Sequence, residues 1–263
     1  MTEVFDFHPG TSALLVSVPH DGRRLPAVIS DRMTAAGRAI ADTDWHVNRL
    51  YTFARGAGAS VLSANYSRYV VDLNRPDSDE SLYPDQLSTG LCPASSFGGE
   101  DLYGEGTVIG EGEIRQRIDT YWRPYHERLR SCLAALRERH GYALLWDAHS
   151  IRGEVAALFE GRLPDLSIGS NGGSSSAPEI DAVLSRIAAT SKYSSVLNGR
   201  FKGGFITRHY GAPANRVFAV QLELAQRSYM DESTLVYDEP AAGELAGVLQ
   251  RMLQAFQSVA AEL

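Results

Sequence analysis

Short apolar runs, each closed by turn-forming or titratable residues, alternate along this chain with longer segments of helical period. Ala13–Val18 reads as a buried strand that stops at Pro19-His20-Asp21-Gly22, and Ala59–Leu62 and Tyr69–Leu73 read as the next strands. Tyr142–Trp146 ends in Asp147-Ala148-His149-Ser150, and Val217–Leu222 runs into Glu223. Helices are expected from Asp42–Asp44 through Ala54 and over 111–139 with an interruption at Pro124. Two more are expected, from about Pro178 and over about 241–260. This alternation predicts a single α/β domain over 1–263 with a mixed, mainly parallel sheet. No repeat, low-complexity tract or linker divides it. The loop from Pro76 to about Ile109 is rich in Gly, Pro, Ser and Asp, and loops of that length in compact domains are usually functional or mobile.

The charges of Arg68-Tyr69-Val70-Val71-Asp72-Leu73-Asn74-Arg75-Pro76 fall on and just beyond its apolar run. In an α/β protein the C-terminal edge of the sheet is where ligands sit. Arg68, Asn74 and Arg75 there suit an anion site, with an arginine gripping a carboxylate through its planar fork and Asp72 holding the guanidinium. A surface ion pair is the plainer alternative for one Arg/Asp pair; two arginines with an Asn favour the anion site. A formal net charge of -7 argues against a general nucleic-acid partner, whose phosphates need a basic face. No apolar run approaches bilayer length, and Met1–Gly10 lacks the features of a signal peptide. Cys92 and Cys132 are too few for a disulfide framework or a Cys-based zinc site. A cytoplasmic protein with a small-molecule substrate and no membrane partner is expected.

His20, His149 and Glu223 each follow a run expected to lie in the sheet, so parallel neighbours would bring them to one edge. Two imidazoles and a carboxylate with an open position are the usual composition of a catalytic zinc site. The carboxylate is Asp44 or Asp42, and Asp147 could orient His149 as a hydrogen-bond acceptor. Taken singly, each residue is better explained by a turn, a buried histidine or a helix N-cap; their joint placement is what favours the site. His46 is ambiguous, while His8, His126 and His140 read as surface or helix residues. In the glycine-rich stretch Arg200–Gly211, Lys202 and Arg208 suit a loop that closes over an anion, and a solvated basic hairpin explains the charge equally well. Arg208 and His209 could stabilise an oxyanion.

Ser17-Val18-Pro19-His20-Asp21-Gly22, Asp42-Thr43-Asp44-Trp45-His46-Val47, Asp72-Leu73-Asn74-Arg75-Pro76 and Asp147-Ala148-His149-Ser150 together resemble the N-formylglutamate amidohydrolase family. Leu82-Tyr83-Pro84, Thr89-Gly90-Leu91-Cys92-Pro93 and Lys202-Gly203-Gly204 extend the resemblance, which runs from about Ser17 to Asp231. It implies hydrolysis of N-formyl-L-glutamate to formate and L-glutamate, the last step of histidine breakdown. A more distant likeness to the aspartoacylase and zinc carboxypeptidase group implies a phosphorylase/hydrolase-like three-layer α/β/α sandwich. By that likeness Arg75 grips a substrate carboxylate, His149 binds Zn2+ and Glu223 is the general base. The sequence departs from that group at position 23, where Arg stands in place of a ligating Glu. The carboxylate ligand is then sought elsewhere, and Asp44 at a helix start can lean toward the strand ends. The expected metal ligands are therefore His20, Asp44 and His149. A related deacylase of another N-acyl amino acid, or a non-catalytic binder of acidic amino acids, are the competing functions; a binder has no need of Glu223.

Overall fold

The computed structural model of the protein describes residues 3–80 and 89–263. The Leu82-Tyr83-Pro84 motif lies outside the described residues. A seven-stranded sheet runs through the molecule in the order β1-β3-β2-β4-β7-β5-β6. Its strands are β1 (Phe5–His8), β2 (Leu14–Val18), β3 (Ser60–Ala64), β4 (Ala143–Ile151), β5 (Leu166–Gly169), β6 (Ser195–Leu197) and β7 (Val217–Ala225). The central four, β3-β2-β4-β7, are mutually parallel, while β1 and β5 join them antiparallel. Those four are the strands the apolar runs predict, because strands covered on both faces carry continuous hydrophobic sequence.

Alternate residues of each strand feed two cores, as the two-residue period of a strand requires. Leu14, Val16, Leu144, Trp146, Val220 and Leu222 pack on one face under α3 (Pro178–Ala189) and α5 (Glu239–Glu262). Leu15, Leu62, Ala143, Leu145 and Ala219 pack on the other, under α1 (Glu111–Arg117), α2 (Arg123–His140) and the short α4 (Phe205–Tyr210). The result is a three-layer α/β/α sandwich. The chain leaves β2 for β3 on one side and then returns to β4 on the other. The crevice between the C-terminal ends of β2 and β4 is therefore a topological switch point, where α/β sheets bind ligands.

Two expected elements differ. The helix over Asp42–Ala54 is broken into single turns, Val47–Leu50 and Phe53–Gly56, with His46 in the left-handed region at φ 65°. Its ring nitrogen Nε2 meets the Leu235 carbonyl at 2.9 Å, which gives His46 a structural place. Tyr69–Leu73 is a buried turn rather than a strand. Its composition suits a strand, but its carbonyls are capped by side chains of the helical layer: Arg117 donates to Val70 O at 3.0 Å and His126 to Leu73 O at 2.9 Å. The Asp72 amide donates to Leu91 O at 2.7 Å, so the central loop backs the same segment. Buried backbone groups must find partners, and here helix side chains and a loop supply them instead of a neighbouring strand.

At Pro124 the helical layer does not stop. A π-helical turn, Ile118–Trp122, joins α1 to α2, and Pro124 falls in the first turn of α2. The wide turn absorbs the missing amide donor without ending the helix.

Candidate active site

β4 and β7 extend further than their apolar runs, so Asp147, His149 and Glu223 lie within strands and not beyond them. Their register pairs His149 directly with Glu223 and Asp147 with Gln221. By strand alternation these four side chains share the face of Leu145 and Ala219, which the α1–α2 layer covers. His20 reaches the same crevice from the turn after β2, and its carbonyl accepts from the Asp44 amide at 3.0 Å. That backbone bond brings the two remaining members together.

His20, Asp44 and His149 form a buried group whose ligand-type atoms lie within 4.8 Å of one another, and this group could hold a metal ion. His149 Nδ1 lies 3.0 Å and His20 Nδ1 3.7 Å from Asp44 Oδ2. The opposite ring nitrogens are committed to carboxylates. His20 Nε2 is hydrogen-bonded to Asp72 Oδ1 at 2.8 Å, and His149 Nε2 lies 3.0 Å from Asp147 Oδ2. His149 Nδ1 is hydrogen-bonded to Asp44 Oδ2, and the carboxylates behind the two rings give the carboxylate–histidine arrangement that orients metal ligands. His20 Nδ1 is buried without a hydrogen-bond partner in the structure. A buried orphan nitrogen is costly unless something else satisfies it, and a divalent cation fits that need. Two imidazoles and one carboxylate suit zinc.

Asp42 takes no part in this group. Its Oδ2 accepts from the Phe97 amide at 2.7 Å and fastens the central loop. Asp44 Oδ2 also accepts from the Ser150 amide at 3.0 Å. Burial alone would raise the Asp44 pKa, but the hydrogen bond from His149 and the nearby His20 imidazole outweigh it and hold the group well below the usual carboxylate range. For Glu223, burial dominates and pushes the pKa up to about 8, against the opposing pull of His149. Gln221 Nε2 donates to Glu223 Oε2 at 3.3 Å.

Arg68 is nearly buried; it donates to Asp72 Oδ2 at 2.7 Å, approaches Asp44 Oδ1 at 3.7 Å and stacks over Phe97. Asp72 therefore braces His20 and Arg68 together, a double role that the sequence, read as an arginine clamp, did not reveal. Asn74 is the keystone between elements. Its Oδ1 accepts from the Ile206 amide at 2.8 Å, and its Nδ2 lies 3.1 Å from His149 Nε2. Gly204 is required beside it, since a Cβ there would sit 2.3 Å from Asn74 Nδ2. Arg75 follows directly and is half-buried. Lys202 is exposed, with its carbonyl accepting from the Asn171 amide at 2.6 Å. Arg208 Nε donates to Gly203 O at 2.7 Å. His209 stacks on Phe205, and burial together with Arg130 lowers its pKa. Beside Asp44, a cavity of about 230 Å³ is lined by Asp42, Thr43, Phe97, Ser150, Arg152 and Gln226.

Sequence reading missed His126 and Trp122. Both are buried, and His126 stacks on Trp122 with ring centroids 3.8 Å apart. The signal was present in their helical spacing with Ile118, Leu129 and Leu133 on the apolar face.

Fold and site together define an α/β sandwich with a buried His-Asp-His group at the switch point of its parallel strands. The chain belongs to the N-formylglutamate amidohydrolase family, whose profile matches residues 12–230. It is 49% identical over 264 residues to an N-formylglutamate deformylase of Pseudomonas putida, covering 100% of this chain and 98% of that protein. It is also 49% identical over 256 residues to an N-formylglutamate deformylase of Pseudomonas aeruginosa, covering 97% and 96%. In fold it is similar to the crystal structure of an N-formylglutamate amidohydrolase from Ralstonia eutropha JMP134, with a TM-score of 0.81 at 24% identity over 97% of this chain and 98% of that one. Among the described residues no helix is long and apolar enough to cross a membrane.

Proposed function

We propose that this chain hydrolyses N-formyl-L-glutamate to formate and L-glutamate, with Zn2+ held by His20, Asp44 and His149. The reading places it in the cytoplasm, as one domain, at the formyl-removing step of histidine breakdown. The observation that carries the chemistry is the buried His20–Asp44–His149 group with Glu223 directly across the strand pair from His149. The full-length likeness to two N-formylglutamate deformylases supports the choice of substrate.

An amide is a weak electrophile with a poor leaving group. Zn2+, when bound, supplies Lewis acidity and a lowered water pKa at this position. Glu223 takes a proton from the attacking water and delivers it to the departing amine. Its burial suits both halves of that task, since a carboxylate near its own pKa can accept and release a proton. Asp72 and Asp147 keep the two imidazoles aligned. Arg75 holds a substrate carboxylate with Asn74 beside it, Arg68 and Lys202 add positive charge around the anion, and Arg208 with His209 faces the developing oxyanion. Binding of the glutamate part thus orients the formyl group at the scissile bond.

The test is formate release from N-formyl-L-glutamate against N-acetyl-L-glutamate, before and after chelation and zinc repletion. Zinc-restored release with the formyl substrate preferred supports the reading. Release that survives complete metal removal would sink the metal assignment, and an acetyl preference would sink the substrate.

A further inference from the structure

Three carbonyls of the buried 70–75 segment are taken by three side chains of one helical layer. Arg117 donates to Val70 O at 3.0 Å, His126 Nε2 to Leu73 O at 2.9 Å, and Trp122 Nε1 to Arg75 O at 2.9 Å. Such alignment needs residues 117, 122 and 126 on one face. A regular α-helix would not superpose positions five apart, but the π-helical turn Ile118–Trp122 widens the step between Arg117 and Trp122. The next step, Trp122 to His126, is the ordinary four-residue spacing. A π-helical turn inserted in a long helix often accompanies a functional site, and here its geometric consequence is visible.

The polar contacts leave His126 one way to act. A carbonyl only accepts, so Nε2 carries the proton toward Leu73, and Nδ1 accepts from the Tyr210 hydroxyl at 2.9 Å. Tyr210 ends α4, the helix whose Ile206 amide donates to Asn74 Oδ1. Asn74 is thereby held from both sides: its own side chain by α4, and the carbonyls on either side of it by Trp122 and His126. None of these helix side chains belongs to the His20–Asp44–His149 group.

We propose that Trp122 and His126 are positioning residues, which set the place of Arg75 and Asn74 against the substrate by fixing the Arg75 and Leu73 carbonyls. The inference rests on the reading of Arg75 as the carboxylate grip. It predicts coupling between Trp122 and Arg75 that ordinary packing would not produce.

The experiment is a double-variant cycle with Trp122→Phe and Arg75→Ala, read as kcat and KM for N-formyl-L-glutamate with bound zinc and thermal unfolding measured in parallel. Trp122→Phe keeps the stacked ring and loses only the donor. Losing one neutral hydrogen bond corresponds to about a five- to tenfold rise in KM, with kcat and zinc content near wild type. In the Arg75→Ala background the same change should cost less than about twofold, because the group it positions is gone. His126→Leu should behave like Trp122→Phe, and His126→Gln, which restores an amide donor, should recover most of the loss. An equal Trp122→Phe penalty in both Arg75 backgrounds would overturn the inference while leaving the Arg75 reading intact. An Arg75→Ala enzyme with unchanged KM would overturn the Arg75 reading, and this inference with it. If Trp122→Phe proves too unstable to assay, the His126→Leu and His126→Gln pair decides the same question in both backgrounds.

Discussion

Asp42 and Asp44 are two residues apart, precede the same short helical turns and have the same chemistry, yet they do different things. Asp44 faces both imidazoles, and Asp42 caps the Phe97 amide across the central loop. If that division governs metal binding, Asp44→Ala strips zinc from the protein, whereas Asp42→Ala keeps near-stoichiometric zinc and loses some loop stability. Metal analysis of the two purified variants decides it; zinc lost only on changing Asp42 would reverse the assignment. At Glu223 the prediction concerns rate. Glu223→Gln keeps the shape and removes the base, so kcat should fall about a hundredfold or more, with zinc content and KM little changed. Near-normal turnover would remove Glu223 from the proton path. In the sequence only the helix-start position favoured Asp44 over Asp42. What separates Asp42 from Asp44 is a partner at Phe97, and what sets the Glu223 pKa is burial by layers remote in sequence.

At the scale of elements, the strands that sequence revealed and those it hid differ mostly in exposure; the exception is β5, fully buried but only four residues long, Leu-Ser-Ile-Gly, with no apolar run to mark it. β2, β3, β4 and β7 have both faces covered, so their runs are continuously apolar. β6 is an exposed three-residue edge and β1 a half-buried one, so neither has such a run. The 69–73 segment was legible as buried but not as a turn, because its backbone partners sit on a helix some fifty residues later in the chain. That helix makes its own prediction through His126. Burial drives the His126 pKa down to about 3, although its bond to Leu73 pulls the other way. The unfolded chain takes up this proton near pH 6.5, and the folded protein does not until about pH 3. Between those values the unfolded state binds more protons, so stability falls as pH falls. The full effect is about 5 kcal/mol. Wild type should therefore lose stability relative to His126→Gln as the pH drops from 6.5 toward 4, as denaturant melts at each pH would show. Parallel pH profiles would mean that His126 is protonated or hydrated in the fold.

For the whole molecule, the switch-point crevice concentrates charge that the fold by itself does not balance. Asp44, Asp72 and Asp147 are buried around it beside Glu223, whose burial favours its neutral form, facing one nearly buried arginine, Arg68, and two histidines. Buried carboxylates without matching positive charge cost several kcal/mol each, so this arrangement is stable only if something positive completes it. A divalent cation at His20–Asp44–His149 would do so in the folded state and find no such site in the unfolded one. Ligand linkage then makes the metal a stabiliser of the entire sandwich, because β2, β4 and the turn carrying Asp44 are held at one point. At free zinc about a hundred- to a thousandfold above its Kd, the gain is roughly 3–4 kcal/mol, or about 6–15 °C in Tm for a chain of this size. Chelated protein should melt lower by that amount and recover on adding zinc, whereas His149→Ala should melt at the same temperature with and without the metal. A chelation shift that persists undiminished in His149→Ala would place the stabilising ion somewhere other than this crevice.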